Sequence, residues 1–181
     1  MTITGQLLVA TPTLLDPAFH RTVVFLVEHQ PFGALGVVLN RPSETQVGDL
    51  LPGWEQRTSL PRVIFDGGPV ETEGLIAVAR QFADDVEGWR EIAPGIALVD
   101  LGASPDPIPD DAGVVRIFGG YTGWSGEQLE MEIEEGAWWV LDADPLDVIT
   151  DEPDQLWREV VGRQGGRLGL LRDHPDDPAM N

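Results

Sequence analysis

The sequence predicts an α+β fold: a mostly antiparallel, barrel-like sheet flanked by a few helices, in a single domain. Three observations predict it. Short apolar runs rich in Val, Ile and Leu fill the first two thirds of the 181-residue chain, each bounded by Gly, Pro or Asp. The helical patterns come late. The regular strand–helix alternation of a parallel α/β sheet is missing. A chain of this length forms one domain and removes about 70% of its unfolded surface from water, so it needs no cross-links.

The elements follow in order. GQLLVA (residues 5–10) reads as a strand stopped by Pro12. RTVVFLVEH (residues 21–29) is apolar on both faces, the pattern of a strand buried on both sides. After the turn PFG, ALGVVLN (residues 34–40) pairs back on it, and Pro42 ends that strand. Residues 46–51 read as a short helix capped by Ser43 or Thr45. RVIFD is a strand that runs into the turn Gly67, Gly68, Pro69, and LIAVARQ (residues 75–81) is another. REIAPGIALVD reads as a hairpin around Pro94 and Gly95, and residues 104–111, with three prolines and three aspartates, as a loop. VVRIF (residues 114–118) is a strand, followed by a glycine loop, a helix over residues 124–136 and the strand WWVLD. DPLDVI reads as a helical turn. Residues 153–163 read as a helix with Leu156, Trp157, Val160 and Val161 on one face. The domain spans 1–165, and 166–181 reads as a polar, mobile tail.

Composition excludes several chemistries. The chain has no cysteine, which removes disulfides, thiol nucleophiles and thiolate metal sites. All 11 basic residues are arginines, which removes Schiff-base and P-loop lysines. The net charge of −20 repels a polyanion, so direct nucleic-acid binding is not expected. The first residues lack a basic n-region, and no apolar run reaches the ~20 residues of a membrane span. The expected location is cytoplasmic, with no membrane partner.

The segment GGYTGWSGEQLEMEIEEGAWW (residues 119–139) carries the sharpest question. A Walker loop needs a lysine that is absent. The glycine spacing is Gly120, Gly123, Gly126, not that of a dinucleotide fingerprint. A nucleophile elbow needs glycine where Glu127 stands. Local physics explains the helix instead. Ser125 caps it and Gln128 completes a capping box, Trp124 and Leu129 form a hydrophobic staple, and Gly136 ends it. The glycines around Tyr121 exceed what such a joint requires.

This segment, with LLVATPTLLDPAFHRTVVFLVEH, GALGVVLNRP (residues 33–42), GGPV (residues 67–70) and the LW pair at 156–157, resembles the YqgE/AlgH family of bacterial proteins. The resemblance covers residues 5–160. The chain departs where Glu127 replaces a glycine common in the family, and the resemblance leaves the segment after Gly165 unassigned. The resemblance implies a single α+β domain with a small barrel-like sheet. It implies no settled activity: the family's transcriptional-regulator label comes from genetics.

The residues themselves yield a candidate ligand site and no catalytic set, metal set or cofactor motif. Glu127, Glu130 and Glu134 share one helix face and read as solvated. Adjacent Glu28 and His29 point to opposite faces. Three glycine- or proline-marked turns follow strands, carrying Asn40 and Arg41, Gly67 and Gly68, and Tyr121 with Trp124. The expectation is that at least two of these turns meet in one concave site for a small anionic or polar group. The sequence thus reads as a non-catalytic binding or regulatory protein whose partner is a small molecule or a protein. The alternative is an enzyme with a carboxylate-based site between Gly119 and Glu132.

Overall fold

The structure, a computed structural model, describes residues 1–176. Ten strands make one sheet: β1 (Gln6–Ala10), β2 (Val23–Gln30), β3 (Gly33–Val38), β4 (Pro42–Gln46), β5 (Val63–Asp66), β6 (Val70–Gln81), β7 (Trp89–Ala93), β8 (Ile96–Val99), β9 (Gly113–Ser125) and β10 (Trp138–Asp142). The main path runs β10-β1-β2-β3-β9-β6-β8-β7, and β4 joins through β5 to β9. Only β5 and β9 pair in parallel among these strands. The sheet curls into a half-barrel with few helices, as the α+β reading anticipates.

Alternation along the central strands divides the core. Leu7, Val9, Val23 and Phe25 face one cluster, closed by Leu156, Trp157, Val160 and Val161 of α3 (Leu156–Gly162). Leu8, Ala10, Val24 and Leu26 face the other, closed by Leu129 of α2 (Gln128–Glu134) with Trp124 and Trp138. β1 and β2 are therefore buried on both sides, which is why their sequences lack polar alternation. A third cluster packs Val47 of α1 (Val47–Leu50) and Trp54 on β6, β8 and β9.

Three segments depart from the sequence reading. The glycine segment is not a loop: β9 continues through it to Ser125. Its residues 113–121 pair with β6, and 122–125 pair with β3, so this strand connects the two halves of the sheet. Pro42 begins β4 rather than ending the previous strand, and α1 has no side-chain cap. Ser43 instead donates its hydroxyl to the Ile64 carbonyl. After Gly165 the chain forms α4 (Gly166–Leu170) and a 3-10 turn (Leu171–Asp173), with Leu168 and Leu171 packed on the core. Three leucines in seven residues, of which Leu170 faces solvent, carry too little periodicity for sequence to register that packing. Residues 177–181 of the expected tail lie outside the described residues.

Two features hold β9 in place. The Gly67–Gly68 turn lies directly against Gly120 and Tyr121, and a Cβ at Gly68 would overlap the Tyr121 carbonyl. Arg116 is 1% exposed and stacks 4.0 Å from the Phe65 ring centroid. It donates to the carbonyls of Thr150 at 3.0 Å and Leu60 at 2.9 Å, and to the Ser59 hydroxyl. Burial pushes its guanidinium down to about 10, with Asp151 acting against the shift.

Urea denaturation checks both features. Gly68→Ala is expected to cost at least about 3 kcal/mol, because backbone must move to admit the methyl group. Gly136→Ala, with φ of 81° and open space around it, is expected to cost only about 1 kcal/mol. Equal costs would mean that the close approach does not hold β9. Arg116→Met is expected to cost roughly 3 kcal/mol, since the Leu60 and Thr150 carbonyls lose their donor. A cost under about 0.5 kcal/mol would show the guanidinium to be dispensable.

Candidate functional site

The clearest constellation of functional groups lies where the loop before β2 meets α3. Arg21 has φ of 58°, a left-handed conformation that a non-glycine residue adopts only when its surroundings hold it there. Asn40 holds it: Nδ2 donates to the Arg21 carbonyl at 2.8 Å, and Oδ1 accepts from the Val23 N–H at 3.0 Å. The turn thereby aims the Arg21 side chain across Trp157, its guanidinium carbon 4.0 Å from the ring centroid. The indole is itself fixed by a 2.8 Å hydrogen bond to the Ala10 carbonyl.

A cavity of about 420 Å³ opens beside this pair, lined by His20, Arg21, Asn40, Arg41, Trp157 and Arg158 among others. Arg21 Nε is buried with no hydrogen-bond partner, and the side chain is only 14% exposed. Burial pushes the Arg21 guanidinium down from its ordinary value; Asp176 opposes this and Arg158 adds to it. Arg41 donates to the carbonyls of Ala18 and Pro17, the latter at 2.9 Å, so it clasps the loop that carries Arg21. Three of the 11 arginines thus line one cavity in a chain of net charge −20.

The structure sorts the six residues singled out in the sequence. Asn40 and Arg41 line this cavity. Gly67, Gly68 and the backbone of Tyr121 do meet, but they touch each other, and the glycines admit neighbouring backbone there. Trp124 is buried in the α2 cluster, where its Nε1 donates to Glu132 Oε2 at 2.9 Å. Arg21, Trp157 and Arg158 were missed as site residues. Nothing local marks Arg21 for a left-handed turn, and Trp157 reads only as core.

The acidic helix is organised differently from its sequence reading. It starts at Gln128, preceded by Glu127 at φ of 68°. The side chain of Gln128 accepts from the Ser125 N–H at 3.1 Å, but Ser125 Oγ caps no helix N–H. Half of the expected capping box is present, because β9 holds Ser125 in the strand. Glu132 accepts from the indoles of Trp124 and Trp138, each at 2.9 Å, and from Gln128 Nε2 at 3.0 Å. These three donors fix its carboxylate as a bracket between β9, α2 and β10. His29 Nδ1 accepts from the Ile3 N–H, which places the ring proton on Nε2, 2.8 Å from Glu130. Glu130 is held below the usual carboxylate range, first by its own backbone hydrogen bond and then by His29.

A second cavity, of about 620 Å³, lies between residues 83–89 and 100–111 and is lined by Asp84, Asp85, Glu87, Asp100 and Trp89 among others. Among the described residues, no three His, Asp or Glu side chains are grouped to hold a metal ion. No helix among them is long and apolar enough to cross a membrane.

The fold and its glycine-lined β9 crossing define a mostly antiparallel half-barrel protein. A profile of the AlgH-like family matches residues 7–169, and the chain belongs to that family. It is 46% identical over 184 residues to a UPF0301 protein of Streptomyces coelicolor, covering 99% of this chain and 95% of that one. A UPF0301 protein of Mycobacterium leprae is 45% identical over 98% of this chain and 90% of its own length. The crystal structure of a Corynebacterium diphtheriae protein superposes with a TM-score of 0.90 at 30% identity, covering 95% of this chain and 92% of that one. The solution structure of the AlgH protein of Pseudomonas aeruginosa gives 0.68 at 28% identity, covering 96% and 94%. None of these names states a reaction or a ligand.

The Glu132 bracket has its own test. Ser125→Ala is expected to change stability by no more than about 0.5 kcal/mol, since its hydroxyl caps nothing. Glu132→Leu is expected to cost roughly 2 kcal/mol, because two buried indole N–H groups lose their acceptor. The same change should shift the tryptophan emission. A large Ser125→Ala effect beside a silent Glu132→Leu would reverse the assignment.

Proposed function

We propose that this AlgH-like protein is a non-catalytic binding protein that takes a small anionic group, a carboxylate or a phosphate, in the cleft beside Arg21. One observation carries the reading. Arg21, Arg41 and Arg158 converge on one cavity, and the Arg21 Nε is buried without a partner. A guanidinium presents its donors in a flat fork that suits oxyanions, and stacking on Trp157 holds that fork in one plane. Asn40 acts by positioning, through the two hydrogen bonds that set the turn at Arg21. The carboxylates supply no comparable case for catalysis: Glu132 is taken up by its three donors, and Glu127, Glu130 and Glu134 are exposed.

A regulatory role is consistent with this reading and would run through the ligand or a protein partner rather than through DNA. Net charge −20 opposes duplex binding, and three arginines at a concave site match a small anion better than a phosphate backbone.

Calorimetric titration with citrate and with inorganic phosphate tests the site. Arg21→Gln is expected to weaken binding of the tighter anion roughly tenfold or more, which is about 1.4 kcal/mol. Arg90→Gln, outside the cleft, should leave it unchanged. Equal binding by Arg21→Gln and the parent chain would remove the site. Fluorescence anisotropy with labelled duplexes at physiological salt should show no sequence-selective binding, and sub-micromolar selective binding would overturn the second part.

A further inference from the structure

The cleft beside Arg21 already holds part of its own chain. After α3 the backbone turns at Gly165, and α4 folds back until Gly169 lies against the Gly162 carbonyl. Arg158 then pairs with Asp173 at 3.2 Å, and the His174 N–H donates to the Leu171 carbonyl at 2.9 Å. These contacts direct the next residues across the cavity. Arg21 Nη2 donates to the His174 carbonyl, and Asp176 Oδ1 lies 3.1 Å from the same nitrogen. Asp176 is also one of the residues lining the cavity.

The two sides of this contact are unequal. The Arg21 side chain is 14% exposed, whereas that of Asp176 is 82% exposed. The arginine is built in by its turn, its stacking and its burial; the aspartate reaches it from solvent. An exposed carboxylate of this kind contributes little to stability and is readily exchanged. It also leaves the Arg21 Nε without a partner, so the tail satisfies the guanidinium only in part. Tethering compensates for weakness, because a carboxylate held by a short segment acts at an effective concentration on the order of millimolar.

Resting on the anion-site reading above, we infer that His174–Pro175–Asp176 is a tethered competitor for the Arg21 cleft, and that an external carboxylate ligand binds by displacing it. The tail also shows the form of ligand that fits: an acidic peptide-like group with a carbonyl oxygen two residues before its carboxylate. Such a ligand takes the place of the His174 carbonyl and the Asp176 carboxylate on one guanidinium.

The experiment uses a labelled peptide carrying residues 173–181, with citrate as a second probe. Both are titrated into the full chain, Asp176→Asn, a chain ending at Arg172, and that shortened chain with Arg21→Gln. The peptide is expected to bind the shortened chain roughly tenfold or more tightly than the full chain, with Asp176→Asn between them. Arg21→Gln should abolish the gain. Citrate should follow the same order with a smaller span if the peptide carbonyl contributes. Equal affinity in the full chain, Asp176→Asn and the shortened chain would overturn the competitor role while leaving an anion site. Absence of binding by both probes to every chain would overturn the anion site itself, and the competitor role with it. A thermal melt by circular dichroism accompanies each variant. If the shortened chain does not fold, Asp176→Asn decides the matter alone, since it keeps every backbone contact.

Discussion

The structure depends on one strand making close contact along its whole length. β9 pairs with β3, β5 and β6, and among the described residues no other strand spans both halves of the sheet. Its crossing point is the contact between Gly67–Gly68 and Gly120–Tyr121, where side chains on the glycines would collide with backbone. Glycine there costs conformational entropy and removes packing area. The return is a sheet that can turn from one partner set to another without a break. Arg116, four residues before Gly120, ties the same strand to the carbonyls of Leu60 and Thr150. The path of the sheet from one half to the other follows from where this strand is held.

Two arginines show how burial and hydrogen bonding together set a role. Each lies over an aromatic ring at 4.0 Å, Arg116 on Phe65 and Arg21 on Trp157, and each has a buried Nε without a partner. Arg116 spends its terminal nitrogens on main-chain and hydroxyl oxygens inside the protein. Its charge is retained although burial pushes the guanidinium down to about 10, against the pull of Asp151. Arg21 spends its own on residues that come from the far end of the chain and lie at the edge of a cavity. The first guanidinium is a structural joint. The second lines a cavity, and that difference is what supports reading it as a binding group.

The strands were legible because their physics is local and repeated. β1 and β2 lack polar alternation since both faces are buried, and the hairpin of β7 and β8 follows from Pro94 and Gly95. The continuation of β9 through its glycines was not legible. Glycine signals freedom, and only the partner strand decides whether that freedom becomes a loop or a close approach. The cap at Ser125 failed for the same reason: a capping pattern presumes a free turn, and here the residue belongs to a strand. In the candidate site, Asn40 and Arg41 stood out by their place after a strand. Arg21 did not, because its left-handed turn is imposed by Asn40, 19 residues away in sequence. Arg158 was invisible as a partner, since only folding brings α3 to that loop.

A concave cationic site in a chain of net charge −20 places two electrostatic ranges in opposition. At long range the protein repels anions, and salt relieves that repulsion over a Debye length of about 10 Å at 0.1 M. At contact, Arg21 attracts them from a half-closed, partly dry position where screening is weak. A large polyanion samples the whole repulsive field at once. On the proposed reading, a small anion that enters the cleft meets three arginines, with Asp154 and Asp176 at the same lining. On that reading the arrangement selects for size as much as for charge. The acidic residue best placed to enter the cleft belongs to the chain itself, because its tether removes the cost of crossing the field. The same acidic surface that excludes polyanions thus makes an internal carboxylate an effective occupant.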